Sequence, residues 1–137
     1  MHKISENVRD TDVLMAIATL NNSANTPIWF SMKEYDNGRA CALAGTIAAG
    51  GAVTVQLRQA KTSAGGSAKD VTGYSTSFAD TDDDSIKGID FRAENLDTNN
   101  GFTYVGLLLT ETGTQNAVMC AWLERERCRH AQASLPA

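Results

Sequence analysis

Little in this chain of 137 residues would serve chemistry or membrane insertion. Only 7% of the residues are aromatic. Much Ala, Thr, Ser and Gly stands beside them, a composition suited to thin β layers of small side chains. Apolar runs are frequent and 42% of the chain is hydrophobic, which argues against disorder. The three cysteines, Cys41, Cys120 and Cys128, are odd in number and far apart. They form no CxxC pair, so neither a disulfide framework nor a zinc knuckle is expected. Cys41 and Cys120 read as buried free thiols in a protein made in a reducing compartment. Basic charge is in deficit: Lys+Arg 12 against Asp+Glu 16 gives a net charge of -4. A nucleic-acid or acidic-membrane partner would need the opposite balance. No stretch approaches the ~20 apolar residues of a bilayer span. The short run Val13 to Leu20 follows Glu6, Asp10 and Asp12, which spoil a signal-peptide n-region. Without export, the sequon Asn21-Asn22-Ser23 carries no meaning.

What is present is a succession of short strands. Val13 to Leu20 reads as an extended segment. Pro27 opens the β-type run Ile28-Trp29-Phe30-Ser31-Met32, and Asp36-Asn37-Gly38 is a tight-turn signal. Arg39 to Ile47 then follows as a strand of small residues. Val53, Val55 and Leu57 alternate with Thr54, Gln56 and Arg58, the period-2 pattern of a half-buried strand. Lys61 to Lys69 is a loop around Gly65-Gly66. Tyr74 to Phe78 and Ile89 to Arg92 are further strands, separated by the acidic turn Asp80 to Asp84. Phe102 to Thr110 and Ala117 to Leu123 are apolar on both faces, which marks central strands. Glu111 to Asn116 between them reads as a hairpin turn joining neighbours in one sheet. No amphipathic helix separates the strands, so parallel βαβ architecture is excluded. The expected fold is all-β: an antiparallel β-sandwich, jelly-roll-like, with extended N- and C-terminal arms. The corresponding division is 1–25 for the N-terminal arm and first extended segment, 26–123 for the sandwich, and 124–137 for the C-terminal arm.

Each catalytic constellation fails on a stated requirement. The two histidines, His2 and His130, stand at the chain ends, where neither is held for nucleophile activation. Asp80, Asp82 and Asp84 alternate like calcium ligands. An EF-hand starting at Asp80 would however need Gly at 85 and Glu at 91, and Ser85 and Phe91 stand there. Gly65-Gly66-Ser67-Ala68-Lys69-Asp70 lacks the Gly-Lys-Ser/Thr end and following helix of a phosphate loop. The expectation is a protein that is not an enzyme, with no catalytic residue, cofactor or metal.

Candidate interface residues remain. Trp29 and Trp122 are the large aromatic anchors, Trp122 the better placed beside a strand end. Arg125, Arg127 and Arg129 alternate with Glu124 and Glu126 and would share one face of an extended arm.

Three passages resemble one family. They are Phe30-Ser31-Met32-Lys33-Glu34-Tyr35-Asp36; Val53-Thr54-Val55-Gln56-Leu57-Arg58-Gln59-Ala60 with the following Ser-Ala-Gly-Gly-Ser-Ala-Lys; and Leu96-Asp97-Thr98-Asn99-Asn100-Gly101-Phe102-Thr103-Tyr104-Val105. They look like small structural proteins encoded among the head genes of tailed bacteriophages, over about residues 28 to 125. The Arg-rich end departs from that pattern. The resemblance implies a virion component assembled in the host cytoplasm: a capsid decoration or cement protein on the outer surface of a phage head. Its partner would be the major capsid protein, and its own assembly a homo-oligomer, a trimer at local symmetry axes. A head–tail connector or tail component is the alternative within the class. A carbohydrate- or receptor-binding β module is the alternative outside it.

Overall fold

The architecture comes from a computed structural model that describes residues 8–128. Eight strands follow one another: β1 (Val8–Leu20), β2 (Phe30–Ser31), β3 (Tyr35–Ile47), β4 (Ala52–Ala60), β5 (Lys69–Ala79), β6 (Ser85–Arg92), β7 (Tyr104–Glu111) and β8 (Ala117–Cys128). Two single-turn 3-10 helices, Ala93–Asn95 and Thr98–Asn100, bridge β6 and β7. The strands form two four-stranded sheets, sheet I in the order β1-β8-β3-β6 and sheet II in the order β2-β7-β4-β5. Every pairing is antiparallel. The pairs β1–β8, β2–β7, β3–β6 and β4–β5 are those of one long hairpin bent back on itself. Rolling that ribbon adds β3–β8 and β4–β7. This is the jelly roll, and the all-β antiparallel sandwich expected from the sequence is what forms.

Alternation decides which residues meet between the sheets. On β4, Val53, Val55 and Leu57 turn inward and are buried, while Thr54, Gln56 and Arg58 turn out. On β8 the inward set is Ala117, Met119, Ala121 and Leu123, and on β7 it is Val105, Leu107 and Leu109. The inward positions of β3 are Ala40, Ala42 and Ala44. These small side chains leave room within the same cluster for Phe78, Phe91 and Met119. The apolar runs predicted to be central strands are β7 and β8, and each lies at an inner position of its sheet.

Four details differ from the sequence expectations, each for a physical reason. First, β7 and β8 are not a hairpin, because they belong to opposite sheets. The segment between them crosses the sandwich, held by the buried Glu111 carboxylate. That carboxylate accepts from the N–H groups of Asn22 at 2.6 Å, Gly113 at 2.6 Å and Gln115 at 3.4 Å. Second, Asp36-Asn37-Gly38 is not a turn but part of the first stretch of β3. Gly38 is needed for close approach rather than for a left-handed backbone. A Cβ there would stand 2.4 Å from Cζ of Phe91, its partner on β6. Third, Ile28 to Met32 contributes only the two-residue β2, since Trp29 is drawn aside onto sheet II. Fourth, residues 124–128 are not an arm: β8 continues to Cys128 and pairs on both sides. At the other end, β1 begins at Val8 as a full member of sheet I.

Candidate interaction surface

The outward faces of the two sheets are built differently. Sheet II presents Thr54, Gln56 and Arg58 from β4, Ser75 and Ser77 from β5, and Thr110 from β7. Two of these groups bond locally. Arg58 pairs with Asp70 at 2.9 Å, and Gln56 Nε2 donates to the Val71 carbonyl at 3.0 Å across the β4–β5 irregularity. Trp29 lies on this sheet. Its ring rests on Gly106 and against Gly65, where added Cβ atoms would stand 2.9 Å and 2.4 Å from indole atoms. It is a clamp fastening the segment before β2, half-buried on glycine backbone.

Sheet I carries an apolar outward face. Its rows follow from the pairing register. Val13, Trp122, Cys41 and Gly88 stand side by side; next to them run Cys120, Leu43 and Ile86; then Thr19 and Val118. Val13 is 56% exposed and Ile86 58%. Ile17, 75% exposed, sits in the irregular stretch of β1 between Met15 and Ala18. Trp122, Leu43, Val118 and Cys120 are half-buried, and Cys41 is covered. Burial pushes the Cys120 thiol up from its ordinary pKa. It does the same at Cys41, where Arg39 opposes the rise and Glu124 and Asp90 add to it. Burial thus favours the neutral form of both thiols.

A charged border closes one end of this face. Thr11, Glu124, Arg39 and Asp90 form the next row, and Glu126, Asn37 and Arg92 the one beyond. Arg39 reaches Asp90 at 3.6 Å and lies over Gly88, Trp122 Nε1 donates to Glu124 at 3.2 Å, and Asn37 donates to Glu126 at 3.2 Å. An open cleft of about 750 Å³ runs along this border, with Asp90, Glu94, Glu124 and Glu126 against Arg39 and Arg92 in its lining. Its carboxylates are spread over three elements. Among the described residues no group of three His, Cys, Asp or Glu side chains is placed to hold a metal ion.

The acidic turn is occupied internally. Asp80 accepts from Gly50 N–H at 2.7 Å, Asp83 from Ile47 N–H at 2.7 Å, and Asp82 from Ala79 N–H at 2.8 Å and Lys87 at 3.1 Å. These carboxylates tie the β5–β6 turn to β3 and the β3–β4 turn instead of converging on an ion.

Of the sequence-predicted interface residues, Trp122 lies at the centre of the sheet I face and Trp29 on the opposite sheet. Arg125 faces inward. It is 8% exposed, donates to the Ser31 carbonyl at 2.8 Å and pairs with Asp12, and its guanidinium lies 4.5 Å from the Tyr35 ring centroid and 5.6 Å from that of Phe30. It closes one end of the core and does not project from an arm. Arg127 contributes its backbone to β8, and Arg129, His2 and His130 lie outside the described residues. Sequence reasoning did not single out Val13, Arg39, Leu43 or Ile86 as surface-forming. For Val13, Leu43 and Ile86 the signal was apolar character at outward positions of strands whose inward positions already supply the core; Arg39 carried no such signal.

No protein-family model and no curated protein matches the sequence. Among solved structures, the fold is similar to that of the PBSX exported protein XepA, with a TM-score of 0.61 at 8% identity, over 100% of this chain and 42% of that one. The chain thus spans less than half of the XepA chain it matches. It is also similar to a chain in the structure of infectious bursal disease virus, Gx strain, with a TM-score of 0.50 at 8% identity, over 92% of this chain and 33% of that one. At such identity the likeness is one of fold: this chain is an antiparallel jelly roll of the kind those proteins contain.

Proposed function

We propose that this protein is a structural component of a virus particle, and more finely a decoration protein that binds the coat protein on the outside of a phage head. The observation that carries the reading is the complete eight-stranded jelly roll, a fold shared with a chain of the infectious bursal disease virus structure. Three passages in β2–β3, β4 and the 96–105 segment, similar to small phage head proteins, support the same class. The physics is coherent. A shell under internal pressure is strengthened when added subunits bridge neighbouring capsomers, and symmetric repetition multiplies weak contacts into firm attachment. Such work needs a rigid body with surface to offer. A hydrogen-bonded sandwich in which Asp80, Asp82, Asp83, Glu111 and Arg125 hold loops and strand ends fits that need.

The test is co-sedimentation of the full chain with purified phage heads lacking it, together with mass-spectrometric counting in complete particles. Decoration requires on the order of hundreds of copies, whereas a connector ring holds about a dozen. Failure to bind heads, or ring-like stoichiometry, would remove the decoration role.

A further inference from the structure

The outward face of sheet I is self-complementary, and we infer that it binds the same face of a second copy, making a two-fold pair. The geometry is set by the strand order β1-β8-β3-β6. A half-turn about an axis parallel to the strands and passing between β8 and β3 reverses that order. It lays β8 of one copy on β3 of its partner, and β1 on β6. Two sheets stack in this way about 10 Å apart, with side chains from both filling the gap.

The register then fixes which groups meet. Glu124 and Arg39 are direct neighbours in one row, Trp122 and Cys41 in the next, Cys120 and Leu43 in the third. The half-turn exchanges the members of each pair. Glu124 comes to face the partner's Arg39, and Arg39 the partner's Glu124. Trp122, the largest side chain on the face, meets the low ground at the partner's Cys41. Asp90 faces the partner's Thr11, and Glu126 the partner's Asn37, so none of these charges opposes its own kind. The exposed Val13 and Ile86 are carried to opposite margins, Val13 over the partner's Gly88 with the Arg39 side chain lying on it, and Ile86 toward the irregular stretch of the partner's β1 that carries Ile17. The alternative half-turn, about an axis across the strands, would set Glu124 over the partner's apolar end near Val118 and leave its charge unmatched. Charge therefore selects one of the two stacked arrangements and names a second copy as the occupant.

This pairing does not rest on the virion reading, since it is read from the isolated chain in solution. Sedimentation equilibrium of the full-length protein tests it. The expected species has twice the 14.7 kDa of one chain. Arg39→Glu and Glu124→Arg should each weaken association about tenfold or more, because each sets like charges face to face across the axis. Either substitution also strains its own chain, where residues 39 and 124 are cross-strand neighbours. An equimolar mixture of the two variants separates the effects. Internal repulsion is unchanged in the mixture, but both contacts between chains become attractive, so the mixed pair should return to near the native association constant. Val13→Lys, at an exposed position that the fold tolerates, sets a like charge against the partner's Arg39 over Gly88 and should give monomers with unchanged far-ultraviolet circular dichroism. A monomeric native chain, a trimer, a mixture no tighter than either variant alone, or a Val13→Lys protein that still pairs would each overturn the proposal.

Discussion

Replacing Arg125 by Met should destabilise the fold by about 2–3 kcal/mol, and the size follows from what its guanidinium touches. The group donates to the Ser31 carbonyl at 2.8 Å, pairs with Asp12, and lies over the rings of Tyr35 and Phe30. A hydrogen bond to a charged group contributes roughly 1.5–3 kcal/mol, and a partly desolvated cation–π contact about 1. Removing one member of a fully buried ion pair costs about 3–5 kcal/mol, mostly through the charge left behind. The Asp12 side chain keeps 29% of its surface, so water relieves part of that penalty. Methionine also retains the apolar contact of the arginine stem. The balance comes to about 2–3 kcal/mol, or about 10 °C in Tm for a domain of this size. Urea titration followed by circular dichroism measures it, with the slope m unchanged if only stability is affected. In a double-mutant cycle, Asp12→Asn should cost less in the Arg125→Met background than in the native protein. A variant within about 0.5 kcal/mol of native, the usual range for exposed positions, would refute the placement of residue 125 in the core. It would return the residue to the solvated arm that its charged neighbours suggest.

Two further outcomes are expected. Acid should unfold the protein through its loop carboxylates. Asp82 is held below the usual carboxylate range first by the Ala79 N–H and then by Lys87, and Asp97 first by Lys69 and then by Asn100. At Glu111 burial pushes the pKa up, but the N–H groups of Asn22, Gly113, Gln115 and Ala52 together bring it below the ordinary value. All three folded-state values lie below the unfolded ones, so the stabilisation is complete above pH ~4–5 and is lost as pH falls through the lowered values. The urea midpoint should hold between neutrality and about pH 5, then fall. In Glu111→Gln it should start lower and fall less, and a native midpoint unchanged at pH ~3 would exclude the linkage. Gly106→Ala should lift Trp29 from sheet II, because the new Cβ would stand 2.9 Å from the indole. Red-shifted tryptophan emission with a stability loss of about 1–3 kcal/mol is the expected signature, and unchanged emission would place Trp29 elsewhere.

The strands were legible where alternation was clean and composition unambiguous. Val53-Thr54-Val55-Gln56-Leu57-Arg58 forms β4 with the predicted residues inward, because period-2 burial is a local property. Whether consecutive strands share a sheet is not local. Gly113 and its neighbours mark a change of direction after β7, but only the Glu111 carboxylate, gathering N–H groups from both sides of the sandwich, makes that change a crossing. Gly38 shows the same limit. An Asn-Gly pair signals a turn through its tolerance of positive φ, yet here the glycine answers to Phe91 on β6, more than fifty residues away. Arg125 was misread because charge is normally an exposure signal, and its partners, Asp12 and the Ser31 carbonyl, lie on strands distant in sequence.

The interaction surface was legible in part, through Trp122, and the comparison of two inner strands explains why. β4 and β8 hold equivalent inner positions in their sheets, so the fold asks the same of both: apolar side chains on the inward face and nothing in particular outside. β4 answers with Thr54, Gln56 and Arg58 outward, polar groups as on a sheet face open to water. β8 has Ala117, Met119, Ala121 and Leu123 inward and still places Val118, Cys120 and Trp122 outside. Those three add nothing to the core, and they raise the exposed apolar area of sheet I beside Val13 and Ile86. A requirement other than folding accounts for them, and the charged row Glu124–Arg39–Asp90 at their border gives that requirement a shape. Because side chains on β8 alternate strictly, core and contact are written in the odd and even positions of the same twelve-residue strand. A substitution such as Trp122→Lys should therefore abolish association and leave a folded monomer, less stable only by the lost pairing and the local contacts of the indole. Met119→Lys, three residues away, should abolish folding and association alike.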